Sequence, residues 1–277
     1  MLGLDGAPKT WQSLIGTAIH DAISRHWLNP RATPDVCADF DVQGVDRWRV
    51  IAAQEIVREY CHWYADDAFS EVESELPFDG TIRGIVDKRC VSTDGTRTIV
   101  DHKTTGRDIS YGSKYFEKKM ALDSQIDAYL LSEPGDAVMI IDAIRRYDVP
   151  MRRATPVENR KYTLPSKSNP VPRLYKGQLE EDETEVEYRD RARLEIATSK
   201  DRRFRRVEIF RTTKELNLAN REFLHTLVQI RTCAVNSVWP RNGNACGEGA
   251  YACEYSDLCI GYKGEPAQSF TALDRAF

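Results

Sequence analysis

No stretch of the 277-residue chain is long and apolar enough to suggest a membrane helix. The best run, Ala137 to Ile144, is short and contains Asp142, far from the roughly 20 apolar residues that span a bilayer. The opening MLGLDGAPKT lacks the basic and apolar parts of a secretory signal, so an intracellular, cytoplasmic protein is expected. The chain also lacks a surplus of positive charge. Its 39 Lys and Arg stand against 43 Asp and Glu, a net charge of -4, so a polyanionic partner must be met by local patches rather than by bulk electrostatics. Cysteines number seven, too few for a disulfide scaffold in a chain of this length, and the odd count points to metal ligation or buried thiols. Internal repeats are absent. The remaining composition is that of an ordinary globular chain, read as one domain over 1–277 with an irregular insertion at about 149–178 and a Cys-rich tail at 239–262.

The hydrophobic period changes along the chain. Ile15, Ile19, Ala22, Ile23 and Trp27 recur at three- and four-residue spacings and predict a helix over Ser13 to Trp27, with His20 near its buried face. A second helix is expected from about Arg47 to Phe69. Thr81 to Asp87 and Arg97 to Lys103, rich in Ile, Val and Thr and joined by Ser92, Thr93, Asp94 and Gly95, predict a pair of strands. Beyond them come a helix over Phe116 to Leu131, a buried strand over Ala137 to Tyr147 and the proline-rich, basic insertion. A charged helix at about Glu180 to Ser199, a strand at Arg205 to Arg211 and a helix at Thr213 to Asn236 complete an α/β chain.

Strand alternation sends Ile99, Asp101 and Lys103 to one face and Val100 and His102 to the other. A hairpin would bring Asp87 beside Asp101. Two carboxylates and a lysine at one place suit a hard divalent cation such as magnesium. That cation neutralises charge growing on a phosphate and acidifies a water, while the lysine orients or deprotonates the attacking water. Taken alone, Asp-x-Lys reads equally as an ion pair on an exposed strand face.

The string of GTAIH with His20, the acidic segment around Glu73, GIVD with Asp87, IVDHK with Asp101 and Lys103, and QIDAY with Gln125 and Tyr129 resembles the PD-(D/E)XK nuclease superfamily, in particular its RecB-like branch. That branch includes phage exonucleases and CRISPR adaptation nucleases. The resemblance implies a restriction-endonuclease-like mixed sheet flanked by helices. It further implies that His20, Asp87, Asp101 and the His102 carbonyl hold magnesium or manganese, with Lys103 as base or water-orienting group. Asp101 stands where the family often has Glu. Glu73 has Glu75 as its rival, since Glu71, Glu73 and Glu75 share one side of an extended strand. Gln125 and Tyr129, four apart, share a helical face from which they contact DNA or hold the lysine.

Cys246, Cys253 and Cys259 crowd the tail. The resemblance implies a structural [4Fe-4S] cluster, but the first spacing is longer than the family's usual two residues and no cysteine precedes His20. Cys37 or Cys61 is then the fourth ligand, with zinc or reduced, buried thiols as alternatives. Basic runs at Arg145, Arg146, Arg152 and Arg153, and at Lys200, Arg202, Arg203, Arg205 and Arg206, are candidate phosphate contacts, and Tyr111, Tyr115 and Phe116 candidate stacking groups for single-stranded DNA. The expectation is a DNA exonuclease or end-processing nuclease of phage or prokaryotic recombination, acting on single strands or duplex ends and leaving 5'-phosphates. The alternatives are a CRISPR spacer-trimming nuclease with an integrase partner, and a catalytically silent DNA-binding module.

Overall fold

A computed structural model of the chain describes residues 3–4, 10–30, 42–78, 82–133, 137–165, 171–238 and 272–273. In chain order its elements are β1 (Gly3–Leu4), α1 (Trp11–Leu28), α2 (Arg47–Trp63), β2 (Ser70–Phe78), β3 (Gly84–Val91), β4 (Arg97–Thr105), α3 (Lys114–Ala121), α4 (Ser124–Ser132), β5 (Val138–Arg145), α5 (Glu185–Ala197), β6 (Phe204–Ile209), α6 (Thr213–Asn236) and β7 (Ala272–Leu273). They fall into two compact units, one of Met1–Gln12 with Asn220–Phe277 and one of Ser13–Ala219. In the first, β1 and β7 pair antiparallel. The second holds a five-stranded sheet of order β2-β3-β4-β5-β6.

Within that sheet β4 and β5 run parallel and every other neighbouring pair is antiparallel. This is the mixed α/β sheet expected from the sequence. Alternation along β4 places Ile99 among Val86, Phe116, Ile126, Tyr129, Met139 and Ile141 on one face, and Val100 with Cys90 and Ile140 on the other. Burying both faces of a central strand removes its apolar side chains from water and anchors its register, because a one-residue slip would exchange every side chain between faces. On the Val100 side, α1 runs so close to β4 that a Cβ on Gly16 would lie 2.7 Å from Thr104 Oγ1. α2 and α5 are tied through Glu55, which is fully buried and receives Arg58 at 3.1 Å and Arg193 at 2.9 Å.

Several boundaries differ from the sequence reading. α2 stops at Trp63, and the acidic segment expected beyond it becomes the edge strand β2. The single helix expected over Phe116 to Leu131 is two, because the Asp123 carboxylate accepts the Gln125 N–H at 3.0 Å and starts α4 anew. α5 begins later than Glu180, at a capping box in which Thr184 and Glu187 satisfy each other's backbone N–H groups. Described residues of the 149–178 insertion carry one short 3-10 turn and an isolated bridge between Tyr162 and Leu174. They are pinned by side chains: Asp182 accepts the Ala154 N–H, and Arg160 reaches the Thr155 and Glu180 carbonyls. Among the described residues no helix is long and apolar enough to cross a membrane. Cys37, Cys246, Cys253 and Cys259 lie outside the described residues, whereas Cys61 and Cys90 are buried and not in disulfides.

Candidate active site

The hairpin of β3 and β4 is registered by the turn at Ser92 to Thr96, where Asp94 accepts from Ser92 Oγ and Thr96 N and Gly95 adopts φ +84°. Its ladder runs from Val91 opposite Arg97 to Lys88 opposite Val100. One residue further, Asp87 leaves the ladder pattern and its Oδ2 accepts the His102 N–H at 2.8 Å. A carboxylate thus stands where a strand carbonyl would, which brings Asp87 to the Asp101–His102 peptide. Burial pushes the Asp87 pKa up; the His102 N–H opposes that and the Glu75 carboxylate adds to it.

Asp101 is 2% exposed. Its Oδ2 meets Lys103 Nζ at 2.8 Å. Burial pushes the Asp101 pKa up to about 6, against the pull of Lys103 and with the repulsion of Asp87 added. A buried carboxylate short of donors binds a proton or a cation readily. Lys103 Nζ also donates to Gln125 Oε1 at 2.5 Å, Gln125 Nε2 donates to the Tyr129 hydroxyl at 2.6 Å, and that hydroxyl donates to the Ile85 carbonyl at 2.9 Å. The helical pair on α4 therefore holds the lysine and hangs from β3. Burial, with the nearby Asp101 charge, raises the Tyr129 pKa and keeps the phenol a donor.

His20 arrives from α1. Its Nδ1 is 3.8 Å from Asp87 Oδ2, while Nε2 is buried with no hydrogen-bond partner. Burial lowers its pKa, only partly offset by Asp101, so the ring is neutral and keeps a lone pair for a ligand. One turn along α1, Ser24 shares a hydrogen bond with Ser74 of β2, and Ser74 Oγ donates to the Asp87 carbonyl at 3.0 Å. This hydroxyl bridge ties the His20 helix to the Asp87 backbone. Sequence reasoning missed both serines. The only local hint was Ser24 lying four residues beyond His20, on the same helical face.

The structure brings together His20, Asp87, Asp101, Lys103, Gln125 and Tyr129. Glu73 is exposed and paired in register with Arg89, whereas Glu75, set opposite Asp87 by the flanking pairs Ser74–Lys88 and Leu76–Val86, is the acid whose charge reaches Asp87. The expected one-sided row of glutamates is kept: Glu71, Glu73 and Glu75 are exposed and alternate with half-buried residues, and Glu73 and Glu75 lie in one continuous register with β3, although φ is positive at Glu71 and Glu75. The His102 side chain turns to the opposite face, where its ring lies 5.8 Å from that of His20, and burial holds its pKa well below the ordinary value.

That opposite face is also polar. Asp142 Oδ2 accepts from Tyr60 at 2.6 Å and from Arg206 Nε at 2.9 Å, and Arg206 reaches Asp67 at 2.5 Å. Beside them Lys88 is buried with its ammonium 3.4 Å from the Trp27 ring centroid, and burial brings its pKa down to about 8. The basic runs are largely engaged within the protein: Arg145 with Asp108, Arg146 with Asp148, Arg153 with Asp182, Arg205 with Glu117.

Two buried donor atoms without hydrogen bonds, His20 Nε2 and Asp101 Oδ2, sit beside Asp87, an oxygen-rich set with one imidazole that fits magnesium or manganese. Among the described residues no three such side chains stand at the spacing of a formed cation site, since Asp87 is turned to His102 and Asp101 to Lys103. In comparison with known proteins, a family model for the PD-(D/E)XK nuclease superfamily matches residues 2–259. No curated protein matches the chain.

Proposed function

As the chain belongs to the PD-(D/E)XK nuclease superfamily, we propose that it is a divalent-metal-dependent DNA exonuclease or end-processing nuclease of the RecB-like type, with Asp87, Asp101 and Lys103 at its centre. The observation that carries this reading is the convergence of two carboxylates of raised pKa with a lysine held in place by Gln125. Every acid and the lysine of the motif are retained, which favours a working enzyme over a silent DNA-binding module.

Asp87, Asp101, His20 Nε2 and the His102 carbonyl would hold magnesium or manganese. When bound, the ion supplies charge neutralisation at the phosphate and a more acidic water. Lys103, held by Gln125 beside Asp101, would present its ammonium to the attacking water or the phosphate oxygen. Tyr129, anchored on the Ile85 carbonyl, keeps the Gln125 amide oriented toward the lysine. Neutral His20 ligates without adding charge.

The test is incubation of wild type and Lys103→Ala with end-labelled single-stranded and duplex DNA in magnesium, manganese or chelator. Shortening by wild type in metal alone, with the variant inert, is expected. Equal degradation by both proteins, or none by wild type with either metal, would refute the assignment. Separately, a [4Fe-4S] cluster on Cys246, Cys253 and Cys259 with Cys37 predicts brown, iron-containing protein when it is prepared without oxygen.

A further inference from the structure

Of the three aromatics expected near the site, Phe116 is buried in the core, whereas Tyr111 is 95% exposed. Tyr111 sits on the loop that leaves β4 directly after Thr105. Nothing about this loop is loosely held. Ile109 plugs the core with no exposed surface. Asp108 accepts from Ser110 N and Oγ, Ser113 Oγ returns to the Asp108 carbonyl at 3.0 Å, and Gly112 N donates to Glu117 at 3.2 Å. Ser113 N closes a four-residue turn on the Ser110 carbonyl, with Tyr111 and Gly112 at its corners and Gly112 at φ +84°, a conformation that favours glycine. The turn thus projects an aromatic ring into solvent from a braced support.

Arg205 links this loop to the catalytic row. The register pairs Lys103 with Ala143 and Ala143 with Arg205, so lysine and arginine lie on one face, two strand spacings or about 10 Å apart. Arg205 donates to the Ile109 and Ser110 carbonyls at 3.1 and 2.8 Å, and its guanidinium carbon is 5.6 Å from the Tyr111 ring centroid. Its other guanidinium nitrogen is paired with Glu117 at 3.0 Å, so Arg205 serves as the brace, and the exposed ring it supports, next to a phosphate-cleaving site, matches the flat face of an unpaired base.

We propose that Tyr111 is a stacking platform for an unpaired base of the DNA strand, a few nucleotides from the phosphate at Asp101 and Lys103, with Arg205 bracing the ring. The position of that base relative to the cut rests on the nuclease reading; the binding itself does not. The substrate class that follows is a single strand or a frayed end rather than an intact blunt duplex.

The experiment is equilibrium binding of fluorescent oligonucleotides in chelator, where no cleavage is expected, by wild type, Tyr111→Ala, Tyr111→Phe and Tyr111→Trp. Tyr111→Ala is expected to weaken binding to single-stranded and splayed-end DNA roughly 5- to 150-fold, the range of one base–aromatic stack, while Phe and Trp leave it nearly unchanged and blunt-duplex binding stays the same in all four. A single abasic site moved along the strand should weaken wild-type binding at one position and have no further effect in Tyr111→Ala. Unchanged binding by Tyr111→Ala, as expected if the ring serves a protein partner, would overturn the proposal. So would equal loss on single strand and blunt duplex, or an abasic penalty that persists in Tyr111→Ala. An intact stacking signature in a protein that cleaves nothing would sink only the nuclease reading.

Discussion

Asp101 and Asp142 lie on neighbouring central strands and are buried alike, at 2% and 0% exposure, yet the protein treats them differently. Asp142 faces α1 and α2 and is held by a phenol and a guanidinium whose own partners, Asp67 and Tyr64, lock them in place. Asp101 faces the α4 side and meets the ammonium of Lys103, a movable point charge already shared with Gln125, with the Tyr129 phenol and His20 nearby. Burial alone therefore does not mark a functional carboxylate. Each keeps one buried oxygen without a hydrogen bond, Oδ2 of Asp101 and Oδ1 of Asp142, so what sets Asp101 apart is its surroundings, a flexible ammonium and a second carboxylate, Asp87, in place of a locked guanidinium and phenol, which leaves it ready to exchange a lysine for a cation.

The comparison can be broken from either side. The largest effect expected is from Lys103→Ala, which should lower DNA hydrolysis by on the order of 10²–10⁴-fold, the range for a positioned proton-transfer group, while circular-dichroism melting stays close to wild type. A comparable loss of folding would move Lys103 into the structural class. Arg206→Met should do the reverse. It leaves Asp142 with Tyr60 and the neutral His102 ring but without its cation, and urea denaturation should show a loss of about 3–5 kcal/mol, as when one partner of a buried pair is removed. Cleavage per folded molecule should persist.

The smaller effect belongs to Asp101 itself and depends on pH. Its folded pKa of about 6 lies above the ordinary aspartate value of 3.8, so folding favours the protonated form. The stability it contributes is complete below pH 4 and is lost as pH rises through 6. Asp101→Asn, neutral throughout, should therefore be more stable than wild type at pH 8 in chelator, by on the order of 3 kcal/mol at 1.4 kcal/mol per pH interval of one, and no more stable below pH 4. Urea unfolding at the two pH values reads this directly. A gap that grows as pH falls would contradict the assignment.

The site was legible in the sequence where its geometry is local. The alternation of Ile99, Asp101 and Lys103, the four-residue step from Gln125 to Tyr129, and the turn between β3 and β4 each follow from chain period, and the structure carries all three. Glu73 against Glu75 is not decidable that way, because both keep the same side of β2 and only the pairing with β3 sets Glu73 against Arg89 and Glu75 opposite Asp87. The hydroxyl bridge from Ser24 to Ser74 and the Tyr60–Asp142–Arg206 network join residues far apart in the chain, and no spacing rule reaches them. The same holds for the basic runs. Their charges look free in the sequence, but Asp108, Asp182 and Glu117 come to Arg145, Arg153 and Arg205 only in the fold. α2 likewise ends at Trp63, short of the expected Phe69, because Asp67, whose polarity suits a helix surface, is turned in to Arg206.

The most direct test of the difference between the two carboxylates is manganese binding, followed by electron paramagnetic resonance, in wild type, Asp101→Asn and Asp142→Asn, each first shown to be folded by circular dichroism. Wild type and Asp142→Asn should take up the ion with similar affinity, and Asp101→Asn should lose it. Equal binding by Asp101→Asn and wild type would contradict the account.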